Sequence, residues 1–183
     1  MLDTLLAATP TVLPHAPASA GFAAGFLHPF MGADHLLAMA AIGWLAARLP
    51  GRQAWLPPSG FVLASLLGGL LAFRIPGLAW MEWGIAASVL LLGLAVMAAA
   101  WLKQRDLLLV ATGLALTGIA HGYAHVNEAN HAATEFFVGF MVATALLHGL
   151  GYLGGRSLAR RWHWLGPLVG GGMSLFGLVL LVG

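Results

Sequence analysis

Histidines and carboxylates that could bind a metal ion recur at regular spacing in apolar parts of the chain. His121, His125 and Glu128 stand at positions i, i+4 and i+7, which places all three on one face of a helix. Two histidines one turn apart are about 6 Å apart along the helix axis, close enough for both imidazoles to bind one divalent ion. This stripe therefore predicts a metal site.

A second group of such residues, His28, Asp34 and His35, lies near the beginning of the chain. His28 and His35 share a helix face but are about 10 Å apart along its axis. Pro29 removes one backbone hydrogen bond, so we expect a kink or local unwinding at that residue. Inside a membrane, an unwound segment is tolerated where it lines a cavity, and its carbonyl groups can also bind cations.

The composition indicates which elements must position these groups. Of the 183 residues, 60% are apolar and 8% are charged, whereas roughly a quarter are charged in soluble domains. Since about 20 apolar residues cross a bilayer as a helix, we predict an all-α, polytopic membrane protein. Its membrane domain, residues 20–183, is expected to be a compact bundle of six spans: Ala20–Ala47, Ala54–Phe73, Trp80–Leu102, Leu107–Val126, Ala132–Gly155 and Trp164–Val182.

Glycines spaced four residues apart predict where the helices of this bundle approach closely, because small residues let helix backbones touch in lipid. The pairs are Gly21/Gly25, Gly118/Gly122, Gly151/Gly155 and Gly166/Gly170. Residues 1–19 are expected to be an extracytoplasmic segment. Part of it has the apolar and small residues of a signal sequence but lacks the positive charge of one.

The basic residues predict the orientation of the bundle. Seven of the eight lie in alternate loops, after the first, third and fifth spans, and only Arg74 does not. The positive-inside rule makes those three loops cytoplasmic and leaves both termini outside. The basic charge is thereby explained without a nucleic-acid partner. Spans 1 and 4 run in opposite directions, as an inverted repeat requires, but their histidine motifs do not correspond, so the sequence does not establish one.

On this topology four of the six carboxylates and five of the eight histidines lie at the membrane centre or in its outer half. His131 and Glu135 are expected at the outer mouth, the other histidines below it, and Asp34 and His35 at the bottom. An unpaired aspartate near the centre costs roughly 2.5–3.5 kcal/mol, so such a residue is expected to face a partner, an ion or water. His148 lies past the midplane on span 5, where it is either an inner relay for the ion or a hydrogen-bonded core residue.

Two segments carry a family resemblance. The segment His28-Pro29-Phe30-Met31-Gly32-Ala33-Asp34-His35 resembles the HPxxGxDH motif of the HupE/UreJ family of small bacterial nickel and cobalt permeases. The segment from Ala120 to Glu128 is similar to the family's FHGxAHGxE motif, but Ala120 replaces the aromatic residue and Val126 replaces a glycine.

The resemblance implies a bacterial inner-membrane permease that imports nickel, or cobalt. The metal-handling residues it implies are His28, Asp34, His35, His121, His125 and Glu128. His15 stands in the place of the histidine with which many relatives begin after signal removal. No permanently bound cofactor and no enzymatic activity are expected. The residues alone do not choose among Ni²⁺, Co²⁺ and Zn²⁺, and they leave the oligomeric state open.

Three other interpretations stay open at this point. The polar groups are also compatible with hydrogen bonds that only hold the helices together. An intramembrane zinc metallohydrolase would use the same residue types, although the HExxH signature is absent. A haem-binding electron-transfer subunit would need two axial histidines, and the crowded carboxylates argue against it.

Overall fold

The computed structural model describes residues 21–78, 80–128 and 133–183. These residues contain no strand. They form a 3₁₀-helix, Gly51–Trp55, and eight α-helices: α1 Phe22–Met31, α2 Ala33–Ala46, α3 Leu56–Arg74, α4 Trp80–Ala98, α5 Gln104–Ala115, α6 Gly118–Glu128, α7 Ala133–Arg161 and α8 Leu165–Val182. The predicted all-α class is confirmed. The predicted N-terminal segment lies outside the described residues, and the orientation of the termini stays a prediction.

Five helical stretches are long and apolar enough to cross a membrane: Gly51–Arg74, Trp80–Ala98, Gln104–Val126, Thr134–Leu158 and Leu165–Val182. Large apolar side chains such as Leu63, Leu70 and Leu153 are more than half exposed on the outside of the bundle. An aqueous protein would bury such surface, whereas in lipid it faces acyl chains. The chain is therefore a multi-pass membrane protein.

The first predicted span is broken into α1 and α2, each too short to cross a bilayer alone. The break lies at Gly32, which is extended (φ −102°, ψ 116°), and not at Pro29, which lies inside α1. A proline removes a single hydrogen bond and the helix continues past it, whereas glycine has a low helix propensity. Asp34, in the first turn of α2, adds a favourable charge at the new helix start.

The fourth span, for which the sequence predicted one continuous helix, is also broken. Between α5 and α6, the backbone N–H groups of Leu116 and Thr117 donate to the carbonyls of Gly113 and Leu114, a tighter 3₁₀ pattern. The Thr117 hydroxyl donates to the same Leu114 carbonyl at 2.7 Å. Both histidine motifs therefore lie next to a helix break.

Helix α7 packs against α1 and α2, and two glycines permit its contact with α2. A Cβ atom at Gly43 would collide with the backbone carbonyl oxygen of His148, and one at Gly151 would collide with that of Ala40. The contact is reciprocal. On α2, Ala40 lies three positions before Gly43, and on α7, His148 lies three positions before Gly151. Backbone therefore touches backbone, with no side chain between the two helices at these points.

The contact between α3 and α6 has the same arrangement. A Cβ atom at Gly122 would collide with the carbonyl oxygen of Ser65, and one at Gly68 would collide with that of Ile119. Again each carbonyl belongs to a residue three positions before a glycine of the same helix: Ser65 precedes Gly68, and Ile119 precedes Gly122. Ser65 of α3 therefore corresponds to His148 of α7. Span 1 thus packs on span 5 as span 4 packs on span 2, which is the pattern of an inverted repeat of three plus three helices.

The predicted glycine contacts are confirmed in part. Both members of Gly118/Gly122 and of Gly151/Gly155 lie against a neighbouring helix. In the other two pairs, a Cβ at Gly25 or Gly170 would collide with neighbouring backbone, whereas a Cβ at Gly21 or Gly166 would make only ordinary contacts at 3.5 and 3.7 Å. The longest helix, α7, continues to Arg161, past the predicted end at Gly155.

Candidate metal site

Three histidines from three helices meet inside the bundle. His28 lies in the last turn of α1, His35 lies in the first turn of α2, and His125 lies on α6. The His125 ring centroid is 4.5 Å from those of both His28 and His35, and the latter two are 5.6 Å apart. One ligand nitrogen from each residue lies within 4.8 Å of the other two. Two nitrogens bound at about 2.1 Å to one ion are at most about 4.2 Å apart, so small side-chain rotations complete the site.

The broken first span explains why these rings meet. On a continuous helix, His28 and His35 would be about 10 Å apart along the axis, and the sequence predicted that His35 lies deeper in the membrane than His28. The extended Gly32 between them redirects the chain, and their rings come within 5.6 Å. The predicted separation of the two residues was therefore wrong, because both contribute to one cluster.

Asp34 contacts His35 twice. Its Oδ1 atom accepts a hydrogen bond from the His35 backbone N–H at 2.9 Å and lies 2.7 Å from the ring atom Nδ1. A proton on Nδ1 completes this second bond, which leaves Nε2 with the lone pair that a metal ion needs. A carboxylate that holds a histidine in this way fixes both its tautomer and its ring orientation.

His121 lies beside the cluster, with its ring centroid 5.1 Å from that of His35. Its Nε2 atom is 3.0 Å from the Ser88 hydroxyl, which itself donates to the carbonyl of Ile85 at 2.6 Å. Since serine has a single hydroxyl proton, this arrangement requires His121 to carry its proton on Nε2. Its Nδ1 atom is buried and has no hydrogen-bond partner among the described residues. That lone pair is available beside the three-histidine cluster.

Aromatic side chains enclose the histidines. Phe140 of α7 lies 4.1 Å from the His125 ring, and Phe136, one turn earlier, lies 5.4 Å from that of His28. His28 is 8% exposed, His35 2% and His125 0%. The imidazoles are thus shielded from lipid. The sequence pattern did not single out these aromatic residues or Ser88, although a serine inside an otherwise apolar span is a signal that could have found it.

The remaining predicted site residues either lie apart from the cluster or fall outside the part of the chain that the structure describes. Glu128 ends α6, and its side chain is not described; His15 and His131 lie outside the described residues. Glu135 is exposed in the first turn of α7. His148 is buried on α7, 5.2 Å from the Phe61 ring.

The chain is similar to known proteins over most of its length. The family model of the HupE / UreJ protein matches residues 3–180. The curated Protein HupE of Rhizobium leguminosarum bv. viciae is 36% identical over 166 residues, which covers 89% of this chain and 85% of that protein. No solved structure shows a significant match. The chain therefore belongs to the HupE/UreJ family, which is associated with nickel and cobalt transport.

Proposed function

We propose that the protein is a permease that carries Ni²⁺ or Co²⁺ into the cell through the cluster of His28, His35 and His125. The observation that carries this proposal is the convergence of three buried imidazoles from three helices within a membrane-spanning bundle. Imidazole suits such borderline ions, and the chain has no cysteine, so the soft thiolate ligands that favour Cu(I) are absent.

The ligand set fits a transported ion better than a permanently held one. Structural metal sites have a closed shell of protein ligands, whereas three ligands leave coordination positions open for exchange. The His121 ring lies next to the cluster, with its centroid 5.1 Å from that of His35, but it is not one of the three grouped ligands. With the predicted orientation, a membrane potential of 100 mV would drive a divalent cation inward by about 4.6 kcal/mol.

The test is uptake of radioactive nickel into proteoliposomes. Wild-type protein should accumulate the ion under an inside-negative potential, and His125→Ala should abolish accumulation because one of three ligands is lost. His163→Ala is the matched control, since this exposed histidine lies in the turn between α7 and α8, away from the cluster. Equal uptake by His125→Ala and the control would refute the assignment of the site, and no uptake by wild type would refute transport.

A zinc metallohydrolase would also use three histidines and a bound water. Burial favours transport, because Phe136 and Phe140 pack against imidazoles that are 8% exposed or less. A single ion fits such an enclosure better than a lipid or peptide substrate does. The same vesicles discriminate between the two, since an enzyme would turn over substrate without moving nickel.

A further inference from the structure

A groove with a volume of about 500 Å³ opens between the beginning of α3 and the middle of α7. Helix α3 packs mainly on α6, and α7 packs mainly on α1 and α2, so α3 and α7 touch each other at few residues. On the α3 side the lining runs from Trp55 to Leu63, which is about 12 Å of helix. Since one leaflet of the hydrocarbon core is about 15 Å thick, the groove can hold most of an acyl chain.

The deeper part of the groove is apolar and faces lipid. Val62 and Leu63 line it from α3, and Ala145 lines it from α7. Leu63 is 60% exposed, so this surface lies on the outside of the bundle. His148 also lines the groove, but both of its ring nitrogens are buried, so the imidazole presents no accessible nitrogen there. Such a lining fits a hydrocarbon chain and does not fit an ion or water.

The polar groups of the lining lie at the other end of the groove, next to the basic loops. They belong to Trp55 and Ser59, at the beginning of α3, and to Tyr152, towards the end of α7. Tryptophan and tyrosine prefer the level of the lipid head groups. The groove therefore changes from polar to apolar along its length, as a phospholipid does from its head group to its acyl chains.

Two arginines continue this polar end. Arg52 lies three positions before Trp55 in the 3₁₀-helix, where side chains at that spacing lie on the same side. Arg156 follows Tyr152 by one turn of α7, and its guanidinium carbon is 5.9 Å from the centroid of the Tyr152 ring. Both arginines are exposed, and within the described part of the chain neither pairs with a carboxylate. The positive-inside rule assigns both to the cytoplasmic side.

We propose that this groove binds an anionic phospholipid, with one acyl chain along the apolar lining and the phosphate at Arg52 and Arg156. Charge complementarity selects this occupant, because basic pockets between membrane helices on the cytoplasmic side bind anionic head groups. A guanidinium group also binds phosphate through two parallel hydrogen bonds. A lipid held in this way bridges α3 and α7, and it should stabilise the bundle because it binds only the folded protein.

The first experiment measures phospholipid binding to the purified protein in detergent by native mass spectrometry. Phosphatidylglycerol should bind more tightly than phosphatidylcholine with the same acyl chains. Replacing both arginines, in Arg52→Gln/Arg156→Gln, should weaken phosphatidylglycerol binding about 25-fold, since each basic residue near an anionic head group contributes about fivefold. Binding of phosphatidylcholine should not change.

The matched control for the charge is Lys103→Gln/Arg105→Gln. It removes the same charge from another loop on the same side, and neither residue lines the groove. This variant should bind both lipids like the wild type. Equal affinity of the wild type for the two lipids would overturn the proposal, and so would an equal loss of phosphatidylglycerol binding in the two double variants.

The second experiment fills the groove with a side chain of the protein. Gly149 lines the groove, and a Cβ there meets no atom within 4 Å, so Gly149→Leu should fold and displace the acyl chain. It should bind both lipids more weakly and lose the rise in melting temperature that phosphatidylglycerol gives the wild type. The control is Gly172→Leu on α8, where a Cβ also meets no atom within 4 Å, and it should behave like the wild type.

Two results of this second experiment would overturn the proposal. Wild-type affinity of Gly149→Leu for phosphatidylglycerol would show that the lipid binds elsewhere. A wild-type dimer that Gly149→Leu converts to a monomer would show that a second copy of the chain fills the groove.

Discussion

Replacing Asp34 by Asn removes one negative charge at the beginning of α2 and leaves the size of the side chain almost unchanged. The amide oxygen can still accept hydrogen bonds from the backbone N–H and the ring Nδ1 of His35, where the carboxylate now accepts them at 2.9 and 2.7 Å. The variant therefore tests whether Asp34 acts by orienting His35 or by binding the ion itself.

The expected magnitude follows from those two hydrogen bonds. Bonds to a charged group contribute about 1.5–3 kcal/mol and neutral ones about 1 kcal/mol. A loss of about 1.4 kcal/mol corresponds to a tenfold weaker affinity. If Asp34 acts through His35, nickel should therefore bind about tenfold more weakly to Asp34→Asn. His35→Ala, which removes a ligand outright, should weaken binding much further.

The assay is calorimetric titration of the purified protein with nickel. Asp106→Asn is the matched control, because Asp106 is also an acid in the first turn of a helix but is exposed and lies on α5. It should bind like wild type. Two results would refute the reasoning: an unchanged affinity in Asp34→Asn, or a loss as large as that of His35→Ala, which would make Asp34 a ligand.

Two further predictions concern the scaffold. Gly122→Ala should lower the free energy of unfolding by about 1–3 kcal/mol, because the added methyl group collides with the backbone of Ser65. Gly113→Ala, where nothing lies within 4 Å, should instead be neutral or slightly stabilising, and equal thermal denaturation curves for the two variants would contradict this. Ser88→Ala should destabilise the protein by about 1–3 kcal/mol, since the Nε2 proton of His121 loses its acceptor. The control is Ser65→Ala, because the Ser65 hydroxyl has no hydrogen-bond partner among the described residues, and its loss should change stability much less. An equal loss of stability in Ser65→Ala and Ser88→Ala would argue against the assigned tautomer of His121.

Composition and spacing were enough to predict the membrane class and the helices that carry the site. Lipid requires long apolar segments, and these are readable along the chain whatever the tertiary contacts. The spacing of His121 and His125 correctly placed both on one helix, α6. Helix breaks were less predictable: Pro29 was the stronger local signal, yet the chain bends at Gly32, because a membrane helix can tolerate one missing hydrogen bond.

The membership of the cluster could not be predicted from spacing alone. The ring centroid of His125 is 4.5 Å from those of His28 and His35, which lie at least 90 positions earlier in the chain. These contacts exist only because α1, α2 and α6 converge. The sequence favoured His121 and His125 as one chelating pair. The structure instead brings His125 to His28 and His35, and it directs Nε2 of His121 to Ser88. Whether both histidines of α6 bind the same ion stays a prediction.

X-ray absorption at the nickel edge of the loaded protein tests the central claim most directly. We expect scattering from three imidazole rings in the wild type, and one ring fewer in each of His28→Ala, His35→Ala and His125→Ala, whereas His163→Ala should match the wild type. A shell of oxygen ligands without imidazole scattering, or spectra unaffected by the three cluster substitutions, would contradict a metal site at this place.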